Sequence, residues 1–448
     1  MKSSKKGKKP DPKKLGANTH VGTLHQRLYH ALNLAFRTLC ISRYADDKER
    51  EWHTNDVEVQ RLVLRSISAF LDGISSETLQ NPLVKDSIPD VIRAMGGILQ
   101  SQNEAVLAMA CESSAKMISI LPSAMFQPNV RHLIHPLSSL LSNNQFQVAV
   151  TSAAGLNLII SNLSVKKERE VWEILAKADT VTQLISNLRN FSEKVKPIEY
   201  FLAMASLLGS IMQLWPSSRY LVWNDAALME IVQHFCRKPV TDVKTTVLHM
   251  YSALALCGNG AKKLLENSGA LLQTTIECMG ESQPPSVRSL AFRLVQRLMA
   301  NKDGCAKILS VSCKPIVKSI ISALGYSIKN NERVPDCEMS LMFEACQLAM
   351  ITRWPGKHHT YLWRSRVDQV LLDLLVYNFQ NTHLNLQALS VQELIAATRE
   401  GLSADFLLDL RPYVWEMIGW LSVHCEDDFH LKMHGKEPYL DVLITSAW

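Results

Sequence analysis

Apolar segments with helical periodicity recur along this chain at intervals of about 40 to 50 residues. They begin near Asp56, Asn103, Asn144, Pro197, Thr241, Pro285, Asp336 and Thr382. Shorter amphipathic segments such as "NVRHLIHPLSSLLSN" lie between them, and the alternation typical of strands is nearly absent. A unit of about 40 to 47 residues that contains two or three helices is typical of armadillo and HEAT repeats, which bury their apolar faces only against neighbouring repeats.

The pattern therefore predicts an all-α fold, an armadillo/HEAT-like α-solenoid with a right-handed superhelix. We expect about eight repeat units in residues 21–448, and hydrophobic residues make up 47% of the chain, enough for a continuous core. At the helix ends, Asp56 and Thr241 are predicted to be N-caps, and Gly258 is predicted to form a left-handed C-cap.

Lysine dominates the start of the chain, and we expect residues 1–20 to form a disordered tail. This basic tail contains Lys2, Lys5, Lys6, Lys8, Lys9, Lys13 and Lys14. With one acidic residue, Asp11, the tail accounts for the whole net charge of +6, and the rest of the chain is balanced. It could serve as a nuclear import signal, contact nucleic acid or a membrane surface, or only increase solubility. Nucleic acid is the less favoured partner because the tail has no aromatic residue to stack on a base and the rest of the chain has no basic excess.

The ten cysteines include no C-x-x-C pair, and no apolar signal segment follows the basic start, so we predict a cytoplasmic or nuclear protein. The most apolar run, Tyr200 to Trp215, is shorter than the about 20 residues that a bilayer span needs. We interpret it as a buried helix and predict no membrane association.

Sequence motifs for catalysis are absent: there is no phosphate-binding or dinucleotide-binding glycine pattern, no H-E-x-x-H and no G-x-S-x-G. The stretch "HCEDDFHLKMH", from His424 to His434, holds several possible zinc ligands, but its spacing matches no zinc pattern and we interpret it as a polar loop. We predict that the protein is not an enzyme and that it has no catalytic residue, no cofactor and no metal.

Two stretches echo each other, "LWPSSRYLVW" and "RWPGKHHTYLW". Their aromatic residues are Trp215, Tyr220 and Trp223 in the first and Trp354, Tyr361 and Trp363 in the second. Proline biases the residue before it away from helical geometry, so each Trp-Pro is predicted to end a helix. The aromatic side chains could form a ligand platform, but we favour wedges in the core between repeats. His358 and His359 in the second stretch are interpreted as polar surface residues and not as catalytic ones, and the first stretch has Ser217, Ser218 and Arg219 in that region instead.

Armadillo solenoids include nuclear import receptors, which clamp peptides with Trp followed by Asn four residues later, and none of the nine Trp here has that partner. Other stretches resemble a plant family of BTB/POZ domain-containing proteins with an N-terminal armadillo-type region. They include "TLHQRLYHALNLAFR", "EVQRLVLRSISAFLDGISSETLQNPLVKDSI", "GILQSQNEAVLAMA" and "PLSSLLSNNQFQVAVTSAAGLNLIISNLS". The basic start before "THVGTLHQRLYHALNL" is also similar to that family.

The resemblance implies a substrate adaptor of a cullin-type ubiquitin ligase, in which a BTB domain holds the cullin and the helical region holds the target. A BTB domain needs about 100 residues of mixed strand and helix, and no such pattern precedes Trp448, so we expect the armadillo part alone. The prediction is a protein-interaction scaffold with a protein partner in its groove, and with a cullin as a further partner only if a longer product carries a BTB domain. The alternative is a nuclear factor associated with nucleic acid or chromatin through the basic tail.

Overall fold

A computed structural model describes residues 57–75, 79–80, 82–267, 269–300, 302–325 and 336–352. The chain divides into two compact units between Leu221 and Val222. Every regular element that the structure describes in these ranges is a helix. Thr382, Asp56, the basic tail and the second echo stretch lie outside the described residues, so the predictions made for them stay predictions.

Unit 1 is the part before Val222, and its described helices range from 4 to 17 residues in length. They are α1 (Val57–Gly73), α2 (Pro82–Ile98), α3 (Glu104–Ile120), α4 (Ser123–Phe126), α5 (Arg131–Ser139), α6 (Phe146–Ser161), α7 (Glu168–Lys177), α8 (Thr180–Arg189) and α9 (Ile198–Leu214), with 3-10 turns at Gln127–Asn129 and Val165–Lys167. The helix α10 (Pro216–Trp223) follows directly.

Unit 2 begins at Val222 and contains the remaining helices that the structure describes. They are α11 (Ala226–Cys236), α12 (Thr241–Leu254), α13 (Gly258–Asn267), α14 (Gly269–Cys278), α15 (Pro285–Leu298), α16 (Lys302–Leu324) and α17 (Asp336–Thr352). Ser312 in α16 has non-helical backbone angles and lies three residues before Pro315. The helix α16 is therefore two helical segments joined at a kink.

The predicted helix starts agree closely with the structure. The long helices α1, α3, α6, α9, α12, α15 and α17 each begin within two residues of a predicted position. These long helices are the ones that pack against one another from repeat to repeat: α3 on α1 and α6, α9 on α6, and α15 on α12 and α17. The predicted armadillo-type all-α fold is confirmed in the described part of the chain.

Apolar side chains at helical spacing explain why these helices stack. In α9, residues such as Phe201, Met204, Leu208 and Ile211 are fully buried. Full burial of one such side chain stabilises the fold by about 1.5–3 kcal/mol relative to exposure. An isolated helix of this length is marginal in water, so the contact with its neighbours is what holds each long helix in place.

Two predicted helix ends were wrong. The helix α12 has Val240 and not Thr241 before its first turn, with no side-chain cap. Gly258 begins α13 instead of ending α12, and none of the described glycines has a positive φ. In contrast, Asn103 caps α3, because its Oδ1 accepts hydrogen bonds from the amides of Ala105 and Val106, both at 3.1 Å.

Close backbone contacts between helices occur at one glycine in each unit. A Cβ atom on Gly96 would lie 2.3 Å from the carbonyl oxygen of His132, and one on Gly260 would lie 2.2 Å from that of Leu254. Because real Cβ atoms do not approach oxygen so closely, any other residue at these positions would push the two segments apart.

Candidate functional site

The first echo stretch is a corner between two helices. The helix α9 ends at Leu214, Trp215 follows in extended geometry at φ −118° and ψ 105°, and Pro216 begins α10. Proline suits the first turn of a helix, where its missing N–H has no partner to lose. The expectation that Trp-Pro ends a helix therefore holds for this copy.

The three aromatic residues of this corner lie in different environments. Trp215 is 7% exposed, and its ring stacks on that of Trp172 in α7 with centroids 5.4 Å apart. Trp223 is partly buried, and its ring lies 3.1 Å from where a Cβ on Gly260 would be. Tyr220 is 62% exposed, so the wedge interpretation is wrong for this residue. Trp354, Tyr361 and Trp363 lie outside the described residues.

Ser218 and Arg219 are polar residues of this corner, and both are buried. Ser218 is fully buried, and its hydroxyl donates to the carbonyl of Trp215 at 2.6 Å. Arg219 is 6% exposed and donates to the carbonyls of Met212 and Gln213 at 2.6 and 3.0 Å. The last carbonyls of a helix have no partner within it and carry partial negative charge. These two side chains therefore hold the end of α9 at the turn into α10.

The long helices form one continuous row within each unit. We call the row α1, α3, α6 and α9 the unit 1 ladder, and the row α12, α15 and α17 the unit 2 ladder. Side chains at the edges of the buried stripes form hydrogen bonds from one long helix to the next, and these bonds define the candidate site.

The unit 1 ladder has mostly neutral links. Asn157 Nδ2 in α6 donates to Ser206 Oγ in α9 at 3.2 Å, while Asn157 Oδ1 is buried with no hydrogen-bond partner in the described residues. Cys111 Sγ and Ser152 Oγ lie 3.6 Å apart between α3 and α6. The charged link is Lys116 in α3, which reaches Ser68 Oγ at 3.1 Å and forms an ion pair with Asp72.

The unit 2 ladder has charged links. Arg297 in α15 donates from one terminal nitrogen to the carbonyl and the hydroxyl of Ser252 in α12, at 2.6 and 2.7 Å. Arg293 binds Glu344 Oε1 in α17 through Nε and a terminal nitrogen, at 2.8 and 2.6 Å. Gln296 donates to the other carboxylate oxygen of Glu344 at 2.8 Å and to its carbonyl at 2.7 Å. The carboxylate of Glu344 thus has partners on both oxygens.

His249 lies on α12 within the field of the same two arginines. Burial lowers the pKa of its imidazole below the ordinary value of 6.5, and the positive charges of Arg297 and then Arg293 lower it further. The imidazole is therefore neutral at pH 7.

Sequence reasoning did not select His249, Arg293, Arg297 or Glu344. The periodicity showed only that Arg288, Arg293 and Arg297 lie off the centre of the apolar stripe of α15. The four-residue spacing of Arg293 and Arg297 was a stronger indication that they act together, because residues four apart on a helix share a face. Arg288, on the same helix, has a different role: it is 7% exposed and donates to Met279 O at 3.0 Å and Ser322 Oγ at 2.7 Å.

A polar cavity of about 500 Å³ lies in unit 1, between the start of α3 and the end of α5. Its lining includes Gln100, Gln102, Glu104, His135, Ser139 and Asn143. At its edge the Gln145 amide donates to Glu104 at 2.6 Å.

Buried thiols are the remaining candidates for chemistry. Burial raises the pKa of Cys111 to about 11 and that of Cys236 to about 12. A thiol with such a pKa is almost entirely protonated at pH 7, and the thiolate is the reactive form. In the described ranges, no group of three or more His, Cys, Asp or Glu side chains could hold a metal ion.

A helix that spans a membrane must be both long and apolar enough to cross a bilayer. Of the described helices, none is by itself both long and apolar enough to cross one. One bent pair, Phe146–Ser161 with Val165–Lys177 at 117°, has sufficient length and apolar composition together.

Three comparisons with known proteins agree with this fold. Residues 143–257 match the plant ARM repeat family. The chain is 41% identical over 434 residues to a BTB/POZ domain-containing protein of Arabidopsis thaliana, an alignment that covers 96% of this chain and 43% of the relative. The resemblance to plant BTB/POZ proteins with armadillo-type repeats is therefore confirmed.

Among solved structures, the chain is similar to an engineered protein with a TM-score of 0.58 and 17% identity, over 77% of this chain and 74% of that one. A designed armadillo repeat protein aligns with a TM-score of 0.46 and 15% identity, over 58% of this chain and 99% of its own. The first likeness supports the fold, and neither one assigns a function.

Proposed function

We propose that this chain, a relative over 96% of its length of a plant BTB/POZ domain-containing protein, is a non-enzymatic protein-interaction scaffold. In the finer form of the proposal, it is the target-binding region of a BTB-type substrate adaptor of a cullin ubiquitin ligase. The chain spans 43% of the length of that relative. The described residues therefore support the target-binding half of this proposal. Attachment to a cullin through a BTB domain is its other half.

The observation that carries the proposal is the pair of ladders. Consecutive long helices lie side by side, and side chains such as Asn157, Arg293 and Arg297 are bonded from one helix to the next. Repeat proteins use such rows as extended binding surfaces. Side chains already held by the fold lose less conformational entropy when a partner binds, which favours recognition. We propose a cytoplasmic or nuclear location for this activity.

The adaptor role can be tested in plant cells that contain or lack the full chain. Proteins that co-purify with the tagged chain would be identified by mass spectrometry, and their abundance and ubiquitin conjugates would be compared between the two cell lines. We expect the bound proteins to accumulate and to lose ubiquitin when the chain is absent. Stable capture without any change in ubiquitin would contradict the adaptor role and leave a scaffold of another kind.

Deletion of residues 1–14 separates this proposal from the alternative based on the basic tail. We expect protein capture to survive the deletion. Binding to duplex DNA that falls steeply with salt and disappears with the tail, in the absence of a captured protein, would favour the nucleic-acid alternative.

A further inference from the structure

Three helices meet at the polar cavity of unit 1, which we call the corner cavity. The helix α2 ends at Ile98, one residue before Leu99 in the lining, and α5 ends at Ser139, which is itself part of the lining. The helix α3 begins at Glu104, which also lines the cavity. The corner cavity therefore lies at the ends of these helices, away from the middle of the unit 1 ladder.

The corner cavity has an apolar inner part and a polar opening. Leu99, Leu107 and Leu140 line it and are buried, whereas Gln100 and Glu104 line it and are exposed. Its volume is about 500 Å³. A ligand that suits both parts has an apolar stem and a polar head, which is the form of a long charged side chain such as that of lysine or arginine.

The charge at the opening favours a cation. Glu104 Oε2 accepts a hydrogen bond from the neutral amide of Gln145 at 2.6 Å, and Glu104 Oε1 accepts none from the described residues. Among the described residues that line the cavity there is no lysine or arginine. A helix end carries partial negative charge and a helix start partial positive charge, so the ends of α2 and α5 together with Glu104 outweigh the start of α3.

We propose that the corner cavity binds an arginine side chain of a partner protein, with its methylene groups on the leucines and its guanidinium group on Glu104. Further acceptors are the amide oxygens of Gln100, Gln102 and Asn144, whose side chains form no hydrogen bond with other described residues. A guanidinium group suits several acceptors better than an ammonium group does, because it has five N–H donors in a planar fork and is less strongly hydrated.

The inference rests on the proposed function, since it names the chemistry of the partner that the scaffold holds. The basic tail of this chain is a second source of positive charge. Its residues 1–14 contain seven lysines and no arginine. The preference for a guanidinium group therefore favours a partner protein over the tail as the occupant.

The test uses the purified full chain and three short fluorescent peptides in which serine alternates with arginine, citrulline or lysine. Citrulline has nearly the shape of arginine but no charge. Fluorescence anisotropy at pH 8, where an ordinary imidazole is neutral, would give the Kd of each peptide. We expect the arginine peptide to bind most tightly, the lysine peptide less tightly, and the citrulline peptide about fivefold more weakly than the arginine peptide.

The Glu104→Gln variant should lower the affinity for the arginine peptide to about that for the citrulline peptide. Glutamine keeps an oxygen that can accept the hydrogen bond from Gln145, so we expect the variant to fold. The matched control is Glu173→Gln, because Glu173 on α7 is 55% exposed, lies outside the lining and changes the net charge equally. This control should leave all three affinities unchanged.

A second variant separates the cavity from its charge. Asn144→Trp keeps Glu104 and places a large side chain at an exposed position of the lining. It should also weaken binding of the arginine peptide. The peptide comparison on the unmodified chain needs no substitution, so it decides the question even if a variant fails to fold.

Equal affinity for the arginine and citrulline peptides would overturn the inference, as would equal losses in Glu104→Gln and Glu173→Gln. Binding of the arginine peptide that appears only after deletion of residues 1–14 would assign the corner cavity to the tail, and it would overturn the inference too. The two proposals fail differently. Ubiquitination that depends on the chain, together with indifference to arginine, would remove only the corner cavity as the contact. Binding specific for arginine without any such ubiquitination would remove only the adaptor role.

Discussion

The unit 1 ladder and the unit 2 ladder stack the same kind of long helix but join neighbouring helices with different chemistry. In unit 1 the links are an amide with a hydroxyl, a thiol with a hydroxyl, and one exposed ion pair. In unit 2 they are two arginines, a glutamine and a buried carboxylate. Apolar stripes supply most of the packing energy in both units, so the positions at the edge of the stripe are free to differ in charge.

This difference has consequences for stability. A neutral pair can be removed at little cost, because few groups are left without partners. The partner of a buried charge cannot be removed at little cost, since the free-energy cost of burying that charge is offset only while its partners remain.

The Trp215→Ala substitution should have the largest effect in unit 1. It removes a buried ring that stacks on Trp172, and we expect a loss of about 3–5 kcal/mol in the free energy of unfolding. Tyr220→Ala is the control in the same corner, with an expected change within about 0.5 kcal/mol because Tyr220 is exposed. Denaturant unfolding measures both, and equal effects would contradict the buried role of Trp215.

The Glu344→Ala substitution is the corresponding test in unit 2. It leaves Arg293 and Gln296 without their shared acceptor, and we expect a loss of about 2–3 kcal/mol, because Arg293 is partly solvated and recovers some hydration. Glu344→Gln keeps one acceptor oxygen and should cost less. If both variants were as stable as the original chain in thermal unfolding, the charged links of unit 2 would contribute no more than the neutral links of unit 1.

The Ser206→Ala and Asn157→Ala substitutions should lower the free energy of unfolding by less than those above, and by unequal amounts. Ser206→Ala leaves the Asn157 amide without its partner, and we expect a loss of about 1 kcal/mol. Asn157→Ala should cost less, because it also removes the buried Oδ1 that has no hydrogen-bond partner in the described residues. A double-mutant cycle measures the coupling, and the reverse order of the two losses would show that this link is not organised as described.

The smallest effect should come from His249 and depends on pH. Its pKa is lowered in the folded chain, so below pH 6.5 the unfolded chain binds more protons. The stabilising contribution is thus present above the unfolded pKa and is lost as the pH falls through the folded pKa. His249→Gln should flatten the decline in stability across this range. An unchanged pH profile for the variant would mean that burial and the two arginines do not lower the pKa of His249.

Much of the fold was predictable because repeat spacing and helical periodicity are local properties. The starts of α12, α15 and α17 fall at the predicted residues. Helix ends were harder, since Gly258 fits a C-cap by its type and lies at the start of the next helix instead. The burial of Ser218 and Arg219 was not predicted, because their partners are carbonyls released at the end of the preceding helix, which composition cannot reveal.

The repeated helices of this protein can be derived from its sequence, because apolar residues at a period of 3.6 dictate which face of each helix is buried. Which residues at the edges of those faces meet depends on the tertiary structure. Arg293 and Glu344 are 51 residues apart, and their contact depends on the register in which α15 stacks on α17. The side-chain volumes along both helices set that register together, so the contacts of Glu344 with Arg293 and Gln296 form only when neighbouring repeats pack.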